Sequence, residues 1–298
     1  MIAIKIENLR KTYPRAWASK PVEALRSISL EIKAGEVFGF IGANGAGKST
    51  TIKILTGAMA PSSGTASIFG VPIDRPEARQ GIAYVPENPS LPDYLTPLEI
   101  LRGAIGLQRL QVSDVNAHCR FWLDKFQIGH VANRTLRTFS KGMAQRTALA
   151  HALCVRPRLL ILDEPLSGLD PLGRREVVDI LAEYKAQGGT VFLTSHVLHD
   201  VERLADRFGL IHQGQMRVIM ATADLMAREQ SFLVRSLGNA SVSGMDLTAA
   251  GYWQGEIKRN DLWDLIRGLE AAGHRLVEVR PSLNLEQVFM NNLQQTDN

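Results

Sequence analysis

GANGAGKST, residues 42–50, is the stretch that decides the fold of this chain. It fits the pattern G-x-x-x-x-G-K-[ST] and sits between a nearly all-apolar run, EVFGFI (36–41), and a helical pattern that begins near Lys48. Gly42, Gly45 and Gly47 allow a tight backbone wrap in which successive N–H groups point inward at phosphate oxygens. On that geometry Lys48 reaches the β- and γ-phosphates of a nucleoside triphosphate, and the Ser49 hydroxyl binds Mg²⁺. Chance produces such a match in roughly one chain in a hundred of this length. The strand–loop–helix context weakens the plain glycine-turn reading further. The nucleotide-binding candidates are therefore Gly42, Asn44, Gly45, Ala46, Gly47, Lys48, Ser49 and Thr50.

Outward from the loop, LLILD (159–163) and TVFLTS (190–195) are also nearly all apolar, as strands covered on both faces must be. A helical pattern over 174–187 ends at Gly188-Gly189. Buried strands alternating with helices predict a parallel α/β sheet. IAIKIEN (2–8) and LRSISLEI (25–32) instead alternate apolar and polar residues, which predicts half-buried antiparallel strands. Residues 89–156 read as a helical insertion, and PRAWASKP (14–21) as a loop carrying a surface Trp17. After about residue 222, FLVRS, GEIKR, NDLWDLIRGLEAAG, RLVEVRPS and LEQVFMNNL predict a small α+β unit (223–298), a packing or dimerisation appendage.

LLILDEP (159–165) supplies a second chemical element. A buried strand delivers Asp163 to its C-terminal end, where ligands collect in open α/β sheets. Asp163 suits Mg²⁺, directly or through water, and Glu164 suits polarising the water that attacks a γ-phosphate. A third element is FSKGMAQRTALA (139–150). Ser140 is a good N-cap, Gly142 allows close approach to the backbone, and the helix that follows presents free N–H groups and a positive dipole end to an anion. From the residues alone, a well-capped core helix remains the alternative.

Composition bounds the rest. The chain has 298 residues, 45% apolar and 21% charged, enough for two domains of ordinary globular character. No apolar run approaches the ~18 residues of a membrane span, and MIAIKIENLRK lacks the order of a signal peptide. The expectation is a cytosolic chain that does not itself cross a bilayer. Lys and Arg are scattered and the net charge is +4, so no nucleic-acid partner is expected. Cys119 and Cys154 match no metal or redox spacing and read as reduced, buried thiols.

GANGAGKST, FSKGMAQR, LLILDEP, LSGLD (166–170) and TSH (194–196), in this order, resemble the ATP-binding subunit of ABC transporters over about residues 1–222. The resemblance implies a P-loop NTPase (RecA-like) core with an antiparallel β edge subdomain, and ATP and Mg²⁺ as ligands. It implies a head-to-tail dimer holding two ATP molecules, each on one subunit's phosphate loop and capped by the other's Ser140, Gly142 and helix N-terminus. On the same basis Tyr13 looks like the aromatic that stacks on adenine, His196 like the switch histidine at the γ-phosphate, and Asp170 like the loop acid coupling the two sites. His199 reads as a solvated helix residue. Lys48, Glu164 and His196 are the catalytic candidates.

Three positions depart from the family pattern. Glu87, in YVPENP (84–89), stands where Gln is usual and is expected to sense the metal, which joins it to Ser49 and Asp163. Lys141 and Met143 replace the usual Gly and Gln of the signature. The SKGM form and the RPSLNLEQVF ending resemble a branch whose members pair with separate transmembrane permease subunits and often export their substrates. The surface near 87–101 is the expected docking site for such a subunit. The resemblance implies an ATPase pair that is either a homodimer or a dimer with a related ATPase subunit. The chain would be cytoplasmic and peripheral on the inner face of the membrane. The rivals are a soluble ABC-type ATPase, usually built from two cassettes or with a long coiled coil, and a non-hydrolysing regulatory module.

Overall fold

A computed structural model describes residues 1–14, 21–227 and 231–281. Trp17 and the expected helix at LEQVFMNNL lie outside the described residues. Alternation along the first two runs puts Ile4, Ile6, Ile28, Leu30 and Ile32 on a buried face, and β1 (Ile2–Tyr13) and β2 (Val22–Lys33) pair antiparallel over it. Both strands run beyond the 2–8 and 25–32 read from the pattern. β3 (Val37–Ile41) is buried at every residue, and α1 (Lys48–Leu55) begins at the lysine of the glycine loop. β4 (Ser63–Ile68) pairs with β1, and β5 (Val71–Pro72) with β4, which completes an antiparallel sheet of order β2-β1-β4-β5.

β6 (Ile82–Val85) leads into three helices: α2 (Pro97–Leu107), α3 (Val115–Lys125) and α4 (Lys141–Cys154). Each has a side-chain N-cap, from Thr96 with Glu99 in a capping box, from Asp114 and from Ser140. They bury Leu101, Leu123 and Leu149 as the helical insertion. Cys119 and Cys154 are free and buried among them. Burial pushes both thiols up, Cys154 to about 12 with Cys119 adding to the effect, so both stay protonated and inert.

The remaining elements of this part of the chain follow: β7 (Leu159–Asp163), α5 (Pro171–Ala186), β8 (Thr190–Ser195), α6 (Leu198–Leu204), β9 (Arg207–His212) and then β10 (Gln215–Ala221). The sheet order is β10-β9-β3-β8-β7-β6, with β3 parallel to β8 and β9, and β7 parallel to β8 and β6. Because β3, β7 and β8 run the same way, the glycine loop, Asp163-Glu164 and Ser195-His196 all leave the sheet at one edge. α5 starts at Pro171, three residues before the expected 174. Asp170 accepts from the Gly173 N–H at 3.0 Å, and Pro171 suits the first helical position. Between the sheets, Phe192 stacks on Phe38 with ring centroids 6.2 Å apart and tilts against Phe40 at 5.5 Å, in a core shared with Ile4, Ile6, Ile52 and Ile161.

The chain divides into two compact units between Ile219 and Met220. The second contains α7 (Thr222–Ala227), β11 (Ser231–Leu237), β12 (Asp246–Leu247), β13 (Trp253–Lys258), α8 (Leu262–Ala271) and β14 (Arg275–Pro281). Its antiparallel sheet has the order β12-β13-β11-β14, and its core is Val234, Met245, Leu265 and Leu269. Among the described residues no helix is long and apolar enough to cross a membrane.

Candidate functional site

The glycine loop owes its path to steric constraints. Gly47 caps α1 with φ +117°, a value that L side chains rarely adopt. A Cβ on Gly42 would lie 2.4 Å from the Ile211 carbonyl oxygen, so β9 crowds the loop from behind. α1 has no side-chain cap and no acidic residue in its first turn. Its leading N–H groups therefore have no side-chain partner from the helix itself.

Ala43, Asn44, Gly45, Gly47, Lys48, Ser49, Thr50, Glu87, Asp163, Glu164 and His196 together line this cleft of ≈ 340 Å³. Gly42 and Ala46 lie behind the lining, where the Ala46 N–H closes a turn on the Ala43 oxygen at 3.1 Å. Ala43 lines it without having been singled out in the sequence. The Lys48 ammonium, on a side chain 7% exposed, donates to the Gly42 carbonyl at 2.7 Å and stands 3.8 Å from Glu164 Oε1. A buried cation at the mouth of converging N–H groups is a ready partner for phosphate.

The two carboxylates are held differently. Asp163 Oδ1 accepts from the Thr194 hydroxyl at 2.6 Å, across the β7–β8 pair. Thr194 Oγ1 in turn accepts from the Glu164 N–H at 3.0 Å, so one buried threonine orients both residues. Glu164 takes φ +49°, the left-handed region, at a cost of about 1–2 kcal/mol for a residue with a Cβ. Its carboxylate accepts from the His196 ring Nδ1–H at 2.7 Å and from the His196 backbone N–H at 3.2 Å. His196, 58% exposed at its side chain, thus buttresses Glu164, a contact that the sequence did not disclose.

Tyr13 ends β1 and does not line the cleft. Its hydroxyl lies 3.5 Å from Thr50 Oγ1 and donates to the Met59 sulfur, so the ring stands beside the far end of the loop. Ser140, Gly142 and Asp170 line a separate depression with Lys141, Met143, Arg146, Gly168 and Leu169. It shares no residue with the cleft around Lys48. Ser140 Oγ accepts from the Met143 N–H at 3.2 Å. A Cβ on Gly142 would sit 3.1 Å from the Gly168 oxygen, and Lys141 donates to Ser167 Oγ at 3.3 Å, so the start of α4 is seated on the LSGLD loop. His199 is exposed at the start of α6, 3.7 Å from Glu202.

Residues 25–167 match the sequence family described as ABC transporter. An uncharacterised ABC transporter ATP-binding protein of Nostoc is 34% identical over 99% of this chain and 90% of its own length. The chain belongs to the ABC transporter ATP-binding family. The lantibiotic transport ATP-binding protein SrtF of Streptococcus pyogenes is 35% identical over 72% of this chain and 88% of its own. A solved structure of an ATP-binding subunit of an ABC transporter, 32% identical, covers 76% of this chain and 92% of its own with a TM-score of 0.68. The protein is an ABC-type ATPase, and its nucleotide is ATP. The alignment with the Nostoc relative runs through the second unit, so that unit is a shared part of at least this pair.

Proposed function

We propose that two copies of this ABC subunit, or one copy and a related ATPase subunit, close head-to-tail around two ATP molecules and power export by separate membrane subunits. One observation carries the dimer: the chain offers two phosphate-ready surfaces, around Lys48 and around Ser140, that share no residue. A second copy turned end to end brings the Ser140–Gly142 helix start onto the partner's γ-phosphate. The lantibiotic transport relative supports a transport role, while the export direction rests on the resemblance of the SKGM signature to the exporting branch. In the domain reading that goes with this proposal, residues 1–222 are the ATP-binding domain and 223–298 an accessory domain.

Within one site, Lys48 and the 43–50 loop hold the β- and γ-phosphates, and Tyr13 stacks on the adenine. Glu164 accepts a proton from the water that attacks the γ-phosphorus as the bond to the bridging oxygen breaks. His196 keeps the Glu164 carboxylate aimed, and Asp170 couples the two sites. The cleft's metal donors, Ser49 Oγ and the Asp163 and Glu87 carboxylates, are all oxygen, which suits a hard cation. Among the described residues no group of three or more His, Cys, Asp or Glu is placed to hold a metal alone. Mg²⁺ keeps water and phosphate oxygens in its shell and, when bound, would neutralise the charge developing on the phosphates. Removing one carboxylate beside the ion weakens its hold, so Glu87→Gln is expected to raise the half-activating Mg²⁺ concentration severalfold. A Mg²⁺ titration of ATPase rate checks this, and an unmoved midpoint removes Glu87 from the metal.

On this reading the 87–101 surface, which carries the exposed Tyr94, is the permease dock, and the protein sits on the cytoplasmic face of the membrane through that partner. The deciding experiment is purification of tagged full-length protein from detergent-solubilised membranes of its source, with mass spectrometry of what accompanies it. A stoichiometric multi-span subunit supports the transporter reading. Recovery only from the soluble fraction, with ribosomes or DNA, replaces it with a soluble ABC-type ATPase.

A further inference from the structure

Gln145 lies in the second turn of α4 with its side chain fully buried. Its amide Nε2–H donates to the Pro165 carbonyl at 3.0 Å, while its Oε1, also buried, has no partner among the described residues. A buried amide with one unsatisfied atom is a poor device for stability, since an apolar side chain of the same shape avoids the desolvation. Its single bond therefore needs an explanation in what it holds.

Pro165 follows Glu164, whose backbone is in the left-handed region and must be kept there by its surroundings. Three bonds do this: the Glu164 N–H to Thr194 Oγ1, the Ser167 N–H to the Glu164 oxygen at 3.0 Å, and Gln145 to Pro165. Only the last comes from outside the sheet edge and its own turn. It also comes from the helix whose first turn carries Ser140 and Gly142. With Lys141 on Ser167 and Gly142 against Gly168, α4 is fastened to the 164–170 loop at three successive points.

We propose that Gln145 is a positioning residue that couples the two ATP sites, passing displacement of α4 at one site to the Glu164 carboxylate at the other. This rests on the head-to-tail reading above. There, the start of α4 meets the partner's ATP while Glu164 serves the ATP on its own loop. When α4 is drawn toward the partner's γ-phosphate, the Gln145–Pro165 bond moves the turn that aims Glu164. A carboxylate displaced by about 1 Å loses on the order of 100-fold in rate, so a small shift of this turn suffices as a gate.

The test uses purified full-length protein with Gln145→Met, which keeps length and volume but neither amide atom, and Gln145→Leu as a second apolar variant. The expected result is a folded protein whose melting temperature falls by a few degrees at most, since the Pro165 carbonyl loses its donor, with ATP affinity unchanged. The ATPase kcat is expected to be lower by about tenfold, and the Hill coefficient for ATP to fall to near 1. A merely structural glutamine would lower the melting temperature as well, but would leave the Hill coefficient alone. The proposal is overturned by wild-type kcat and cooperativity in a folded variant, by a wild-type enzyme that shows no cooperativity, or by failure of both variants to fold. Glu164→Gln, run in parallel, separates the two readings. If it still hydrolyses ATP at the normal rate, the site assignment fails; if it is inactive while Gln145→Met behaves as wild type, only the coupling fails.

Discussion

Glu164→Gln is expected to lower steady-state ATP hydrolysis by about 10²–10⁴-fold while ATP affinity stays the same or improves. The amide is isosteric with the carboxylate, so its oxygen can still accept from the His196 Nδ1–H, and the backbone bond from Glu164 N to Thr194 survives. What disappears is the one group in the cleft that is both anionic and held by a histidine, and with it the acceptor for the proton of attacking water. Lys48 loses its anionic neighbour at 3.8 Å, which frees its charge for phosphate. ATP should therefore accumulate unhydrolysed in a closed pair, visible as a dimer by light scattering after gel filtration in ATP. An unchanged rate would put the base elsewhere, with Asp163 the next acid along the chain.

Two inactive variants mixed together should recover activity. Lys48→Ala removes the buried cation of the phosphate loop. Gly142→Asp puts a Cβ against the Gly168 oxygen at 3.1 Å and a carboxylate where the partner's γ-phosphate would face. In a homodimer of either variant both composite sites are damaged, and each is expected to fall at least about 100-fold. Co-expressed in equal amounts with random pairing, half of the dimers carry one chain of each kind. Each mixed dimer has one intact site, formed by the Lys48 loop of the Gly142→Asp chain and the α4 start of the other. Activity should thus return to roughly a quarter of wild type if the sites turn over independently, and to less to the extent that they are coupled. No recovery would mean either that each chain completes its own site or that the two sites fire only together, and ATP-dependent dimerisation of the mixed pair by light scattering tells these apart.

What the sequence disclosed and what it withheld follow from the range of the forces involved. The turn at 42–50 is dictated by glycines within a few residues of one another, and its neighbours in the sheet declare themselves by being wholly apolar. The strand end that delivers Asp163 is legible for the same reason. The left-handed Glu164, its bonds to His196 across 32 positions, and the tie from Gln145 across 20 are tertiary facts with no local signature. Other omissions were avoidable. Asp170-Pro171 is a local start signal for α5. The β9–β10 connection turns on Gln213-Gly214, both with positive φ (47° and 76°), a hairpin geometry that the sequence hinted at and the strand reading passed over. β6, only four residues long, offered too little pattern to separate from its surroundings. A loop motif names positions without saying which of them face inward, so it does not separate Gly42 and Ala46, which lie behind the cleft lining, from their neighbours.

The backward-turned backbone at Glu164 has a consequence for anyone improving this protein as a reagent. A glycine at that position would relax the turn, so a campaign of random mutagenesis selected on heat resistance alone rewards its loss. On the role proposed for Glu164, survivors of such a screen would be sturdier and far slower to turn over nucleotide. Durability and turnover are set against each other at a single residue, and they must be selected together.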